Sequence, residues 1–294
     1  MKNTVNILLL LLLVFAQVSI VSANVVCTRN KDCPGDTGWE LGVAIGVGGM
    51  TNPLVGGDNI PLVIIPDIAY YGDNLYFDNA EFGWRTSITA RHEINLFVTP
   101  NKEKAFFSFW HTSNILGPIF TLDSPFQSGD EMNIGNPIIG QSTVSIDDVS
   151  SRKWAADAGV RWRWKWKNSV INSSVYADVS DVYKGTHGSL SFTSKWAFDD
   201  WTVYTSPNVH WYSDNLTDYY YGIRTLPLLG KGLGYEGKSG LQFGMRVLAL
   251  HSIDDSWHVL IRASAVKLHS GMRNSPLVDS STVLSGFVGM AYQF

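Results

Sequence analysis

From residue 153 to 166 polar and apolar positions alternate without a break. Trp154, Ala156, Ala158, Val160, Trp162, Trp164 and Trp166 fall on one side. Lys153, Ala155, Asp157, Gly159, Arg161, Arg163 and Lys165 fall on the other. A period of two predicts a strand with two unlike faces. A nucleic-acid surface would need cations and aromatic rings on the same face. Here the alternation separates them. The tryptophans gather towards one end, as an aromatic girdle at a membrane interface does, and the cations suit a polar lumen.

The same period recurs along the chain. It predicts strands at residues 39–48, 60–70, 170–179, 188–198, 201–211, 240–250, 257–267 and 283–294. Weaker patterns at 75–85, 88–98 and 105–111 complete a set of about twelve, or ten if the last two do not both span. Pro66 predicts a bulge or an early end to the second strand. In the first strand Trp39, Leu41, Val43, Ile45 and Val47 share a face, and glycines fill much of the other, as a narrow lumen requires. Connections after strands 2, 4, 6, 8 and 10 are short. Those after 1, 5, 7, 9 and 11 are mostly longer, and only the connection after strand 3 breaks this. Short turns at one end and long loops at the other are the parity of a barrel with both termini in the periplasm. The expected fold is all-β, a transmembrane antiparallel barrel of the outer-membrane kind.

Composition narrows the alternatives. Only 16% of residues are charged, low for a water-soluble domain, yet 45% are hydrophobic. Beyond residue 23 no run of about twenty apolar residues exists, so no helix of that kind is expected to span a membrane. The net charge of −4 argues against a nucleic-acid partner. Lys2, an apolar stretch and Val21-Ser22-Ala23 predict a signal peptide over residues 1–23, cleaved after Ala23. Residues 24–38 are then a periplasmic segment, and 39–294 the barrel. Cys27 and Cys33 are the only cysteines, and in an exported chain they most simply close one disulfide. A metal reading would need further ligands, and none of the seven histidines lies in that segment.

The last strand places Phe294, Tyr292, Met290, Val288 and Leu284 on one face, with Gln293, Ala291, Gly289, Phe287 and Ser285 on the other. This resembles the C-terminal strand of bacterial outer-membrane proteins. The resemblance implies that Phe294, Tyr292 and Met290 form the signal read by the barrel assembly machinery. It also implies contact with outer-membrane lipid and lipopolysaccharide.

Further motifs resemble one family. They are Phe77-Asp78-Asn79 with Phe82-Gly83-Trp84, Asp218-Tyr219-Tyr220-Tyr221-Gly222, and Ser275-Pro276-Leu277-Val278-Asp279 ahead of Ser285-Gly286-Phe287-Val288-Gly289. Together they resemble the MipA/OmpV family of MltA-interacting outer-membrane proteins, over about residues 39–294. The stretch 93–148 and the cysteine segment depart from the pattern. The resemblance implies a Gram-negative outer-membrane protein without catalytic activity. For some members it implies a scaffold joining a periplasmic lytic transglycosylase to a murein synthase, and for others a porin-like or adhesive role.

Catalysis finds little support in the residues. Asp199-Asp200 and Asp254-Asp255 fall in turns at the periplasmic end, the wrong end for a rim protease. Asp147-Asp148 has no adjacent histidine. His269-Ser270 would point to opposite faces of a strand, which does not make a nucleophile and its base. No catalytic residue, cofactor or metal site is predicted. Arg161, Arg163, Arg246, Arg262 and His258 are expected to line the lumen, with Arg246, Arg262 and His258 pairing with inner acids such as Asp157.

Overall fold

The computed structural model describes residues 38–107, 144–224 and 234–294. The predicted signal peptide, Cys27 and Cys33 lie outside them. The described residues form twelve strands: β1 Gly38–Met50, β2 Ile60–Tyr71, β3 Leu75–Asp78, β4 Glu81–Thr89, β5 His92–Pro100, β6 Ala156–Trp166, β7 Ser169–Asp178, β8 Thr186–Phe198, β9 Trp201–Tyr212, β10 Gly240–Ser252, β11 Trp257–Lys267 and β12 Thr282–Gln293. Each pairs with its sequence neighbours, and β12 pairs with β1, so the sheet closes into an antiparallel barrel. At the closing seam Val43 faces Tyr292 and Met50 faces Ser285.

The alternation sets which side chains meet lipid. Val47, Val160, Val175, Phe243 and Val288 are exposed on the outer surface. Their inward neighbours Ala44, Asp157, Ser174, Gln242 and Phe287 are buried. At the end with the short turns an aromatic belt forms. Trp39 lies 5.2 Å from Tyr70, and Trp257 and Phe294 each lie 4.9 Å from Tyr292. Trp162, Trp164 and Trp166 stack in a ladder on β6. Among the described residues no helix is long and apolar enough to cross a membrane. Phe294 also donates its amide to Leu41 O at 2.9 Å, which ties the chain end to β1.

Close strand approach explains the inward glycines of β1. A Cβ on Gly46 would sit 2.2 Å from Val288 O, and one on Gly48 2.3 Å from Gly286 O. The ring of Phe287 takes the space that side chains there would need. The β1–β2 register shifts between Ile45 and Gly48, a bulge.

Three expectations need correction. First, the bulge is not at Pro66. β2 runs through it, with Pro66 opposite Val43. Ile68 turns its amide to Asn79 on the side away from β1, so Pro66, two residues back, faces the same side. Among the described residues that side of β2 pairs with β3 only from Ala69 to Tyr71. A missing N–H costs nothing at such an edge. Second, residues 75–85 are not one strand. Asn79 and Ala80 adopt φ of 45° and 74° and turn the chain into a tight hairpin. This moves each following boundary, so β5 ends at Pro100; residues 103–107 form a 3₁₀ turn where the fifth strand expected at 105–111 would begin, and the rest of that stretch lies outside the described residues. Third, the two long connections before β10 and β12 contain helices, Asp214–Tyr221 and Ser270–Arg273.

Val160 and Arg161 are adjacent but face lipid and lumen. Val160→Arg should cost about 2–4 kcal/mol, the penalty for a cation at mid-bilayer. Arg161→Ala is also expected to be costly, because it strands Glu81. Glu81→Gln in the same chain should recover part of that loss and none of the Val160→Arg loss. Urea unfolding in lipid vesicles measures both. A Val160→Arg barrel as stable as wild type would mean that β6 does not face lipid.

Candidate functional site

The barrel wall carries two kinds of lumenal charge. On β6 the guanidinium of Arg161 donates two bonds of 2.7 Å to the carboxylate of Glu81 on β4. Its Nε donates to Ser174 Oγ at 3.2 Å, and the group lies 4.5 Å from the centre of the Phe97 ring. Glu81 also accepts from Tyr76 at 2.6 Å. Arg163 reaches Glu93 at 3.9 Å and donates to Asn172 at 3.1 Å. These cations are neutralised by acids from the facing strands.

Arg246 on β10 and Arg262 on β11 are not. Their register sets Arg246 opposite Ser264 and Arg262 opposite Leu248, so the two are diagonal neighbours. Among the described residues neither forms a salt bridge, and the buried Nε of Arg262 has no hydrogen-bond partner. Both line a cavity of about 760 Å³ in the half of the lumen nearer the short turns. His258 lines it as well, 3.2 Å from Ser252.

Asp157 does not pair with Arg246, Arg262 or His258. It is 1% exposed and is held by Asn101 at 2.8 Å, Tyr183 at 2.5 Å and His187 at 2.9 Å. The register places it at the opposite end of the lumen from His258, where the long connections start. His187 stacks on Tyr176 at 4.2 Å and on Tyr212 at 6.0 Å. Asp157 and His187 are the nearest approach to an acid–base pair. Asp157 binds Asn101 and Tyr183 of the connections, and His187 packs on Tyr176 and Tyr212 of the wall, so the pair ties the two together.

Above this network the long connections meet in one buried cluster. Leu54, Val144, Tyr183, Leu216, Tyr220, Tyr221, Ile223, Met272 and Leu277 come from five connections and are 4% exposed or less. Backbone bonds tie them together. Val55 donates to Leu277 O, Ile146 to Val55 O and Val144 to Pro276 O. Arg152 donates to the carbonyls of Tyr220 and Gly222. The helix Asp214–Tyr221 is capped by Ser213, and its tyrosines supply the centre of the cluster. These described residues form a cover over the mouth at the long-loop end.

Glu103 fastens the cover from inside. It is half-buried and accepts from the hydroxyl of Tyr221 at 2.6 Å. Burial pushes its carboxyl above the usual carboxylate range, and the Tyr221 bond offsets only part of that. His269 and Ser270 begin a helical turn and do not lie in a strand. His269 caps that turn by accepting from Gly271 at 3.1 Å, and burial lowers its imidazole to about 4. Sequence reasoning missed Glu81, Glu93, Glu103, Tyr183 and His187. Inward parity would have found Glu81 and Glu93 had β4 and β5 been bounded correctly.

The cover and lumen can be set beside known proteins. The family model described as MltA-interacting protein MipA matches residues 44–294. The chain is 24% identical over 261 residues to the putative outer membrane protein YiaT of Escherichia coli O157:H7, covering 88% of this chain and 92% of that protein. It is 21% identical over 257 residues to the MltA-interacting protein of Escherichia coli strain K12, covering 87% and 90%. It is 18% identical over 232 residues to the outer membrane protein OmpV of Vibrio cholerae, covering 75% and 90%. These relatives are named as outer-membrane or interacting proteins and not as enzymes.

Glu103 makes the cover sensitive to pH. Its pKa in the fold lies above that of an ordinary glutamate. A raised carboxylate pKa contributes stability that is complete below the unfolded value and is lost as pH rises through the folded one. Glu103→Gln keeps the shape without the charge. The variant should therefore gain on wild type as pH rises above about 4.5. Hydrogen exchange of the helix Asp214–Tyr221 between pH 4 and 8 reads this difference. A constant difference across that range would mean that Glu103 is not buried as a carboxyl group.

Proposed function

The chain belongs to the MltA-interacting protein MipA family and is a β-barrel of the outer membrane, and from that premise we propose that it is a docking protein for murein enzymes and not an open channel. The partner class is a periplasmic lytic transglycosylase, with a murein synthase held alongside. The support for that class is the name of one relative, the MltA-interacting protein. The observation that favours binding over conduction is the buried cluster across the outer mouth, joined by backbone bonds between connections. A water-filled channel needs a continuous path, and this cover obstructs it.

Docking has to happen at the periplasmic end. The turns there are short: residues 72–74, 90–91, 167–168, 199–200 and 253–256 separate the strands. Alone they fall well short of the roughly 800 Å² per partner of a stable interface. Residues 24–37, with the two cysteines, are the remaining candidate at that end, and the partner is expected to engage them together with the rim.

Two measurements test the reading. Purified full-length barrel in lipid nanodiscs should bind a purified lytic transglycosylase, and a barrel lacking residues 24–37 should bind it at least tenfold more weakly. In planar bilayers the intact barrel should show no steady conductance. Steady conductance without transglycosylase binding would replace the docking reading with a porin-like one.

A further inference from the structure

The lumenal cavity has features that docking does not use. Its upper part holds Arg246 and Arg262, two cations without an acid partner among the described residues. Both arginines of β6, Arg161 and Arg163, are paired with acids, and these two are not. Two like charges on diagonal positions repel, and the orphaned Nε of Arg262 lacks the bond that buried donors normally make. An anionic group between them would satisfy both. One acid, Asp67, does line the cavity, but its carboxylate accepts from Asn79 at 2.8 Å and forms no salt bridge to either arginine.

The rest of the lining is unlike a water-filled pore. Leu248 and Leu250 on β10 and Leu260 on β11 share the inward parity of Arg246 and Arg262 and line the same space. Ile65 on β2 and Ala44 on β1 face them. Apolar surface turned into a lumen is unfavourable against water alone. The cavity thus sets two arginines beside a group of leucines. Its volume lies within the roughly 300–1,000 Å³ typical of small-molecule sites.

Among the described residues the wall beside it has a gap. From Ile60 to Asp67 β2 has no second strand partner among the described residues, because the β3–β4 hairpin turns back at Asn79 and Ala80. Pro66, Ile68, Phe77 and Asn79, at the edge of this gap, line the cavity as well. The cavity therefore borders the gap between the described strands.

We propose that this cavity binds an anionic amphiphile, with a carboxylate or phosphate head on Arg246 and Arg262, an alkyl chain among Leu248, Leu250 and Leu260, and passage to the bilayer beside Pro66 and Asn79. Charge selects the head, and the leucines select a chain over a free inorganic anion. The site stands independently of murein-enzyme docking.

The test uses the full barrel in a neutral maltoside detergent, with binding read by native mass spectrometry and by protection against heat unfolding. Dodecyl phosphate and dodecanoate probe the two head chemistries. Inorganic phosphate and dodecyltrimethylammonium are the controls. One dodecyl phosphate or dodecanoate should be retained per barrel and should raise the unfolding temperature. Neither control should bind or compete. Arg246→Ala and Arg262→Ala should each weaken binding by roughly tenfold or more, the loss of a charged hydrogen bond. Leu250→Trp, which fills the space among the leucines, should weaken the alkyl ligands while the barrel stays folded. Equal binding of inorganic phosphate would overturn the amphiphile in favour of a small-anion site. Competition by the cationic amphiphile, or binding unchanged in both arginine variants, would overturn the site. If an arginine variant does not fold, the wild-type competition alone decides between these outcomes.

Discussion

A strand that faces lipid has no water to satisfy its amides, and every backbone group in the wall must find a partner within the protein. The closing seam between β1 and β12 answers that demand, with nine residue pairs from Gly42–Gln293 to Met50–Ser285. Much of the sequence serves this closure. Glycines at 46 and 48 let the backbones approach. Phe287 takes up the room they leave. The aromatic belt around Trp39, Tyr70, Trp257 and Tyr292 holds the same end at the membrane interface. Among the described residues β2 from Ile60 to Asp67 lacks a second strand partner, and it carries Pro66 on that side, where a donor would otherwise be stranded.

The lumen is divided by the same geometry. Alternation places every second side chain of the wall inside, and register then decides which charges meet. On β4, β5 and β6 it brings Arg161 to Glu81 and Arg163 to Glu93. On β10 and β11 it brings two arginines together among leucines. At the far end the buried Asp157, with His187 and Glu103, holds the connections down. The described residues thus enclose a polar, partly apolar interior, covered at the long-loop end.

The outward faces and the parity of connections were legible in the sequence, because a period of two survives errors in the boundaries; the strand count agrees because one expected strand is two and the strand expected at 105–111 begins in a 3₁₀ turn. The β3–β4 hairpin was not. Residues 75–85 keep an acceptable alternation through Asp78-Asn79-Ala80, and only backbone angles reveal the turn. That one error displaced β4 and β5 and hid Glu81 and Glu93 as partners of the β6 arginines. The pairing of Asp157 was misread for a different reason. Parity says that a residue points inward but not at what height, and Asp157 sits at the end away from His258. The helix Asp214–Tyr221 lay in a stretch too rich in tyrosine and too short for a helical period to stand out. Ser213 before Asp214 was the available sign, since serine there caps a helix.

The cover over the mouth has a consequence for how the molecule is made. Its threads come from both ends of the chain: Thr51 bonds to Leu284, 233 residues away, and Val55 to Leu277. Contacts so distant in sequence carry the largest loop-closure cost and come late in folding. Here they also require β12 to have reached β1. A finished cover therefore certifies a finished wall. A chain arrested before closure would expose Tyr220, Tyr221, Met272 and Leu277 as loose apolar ends, the kind of surface that quality-control proteases recognise.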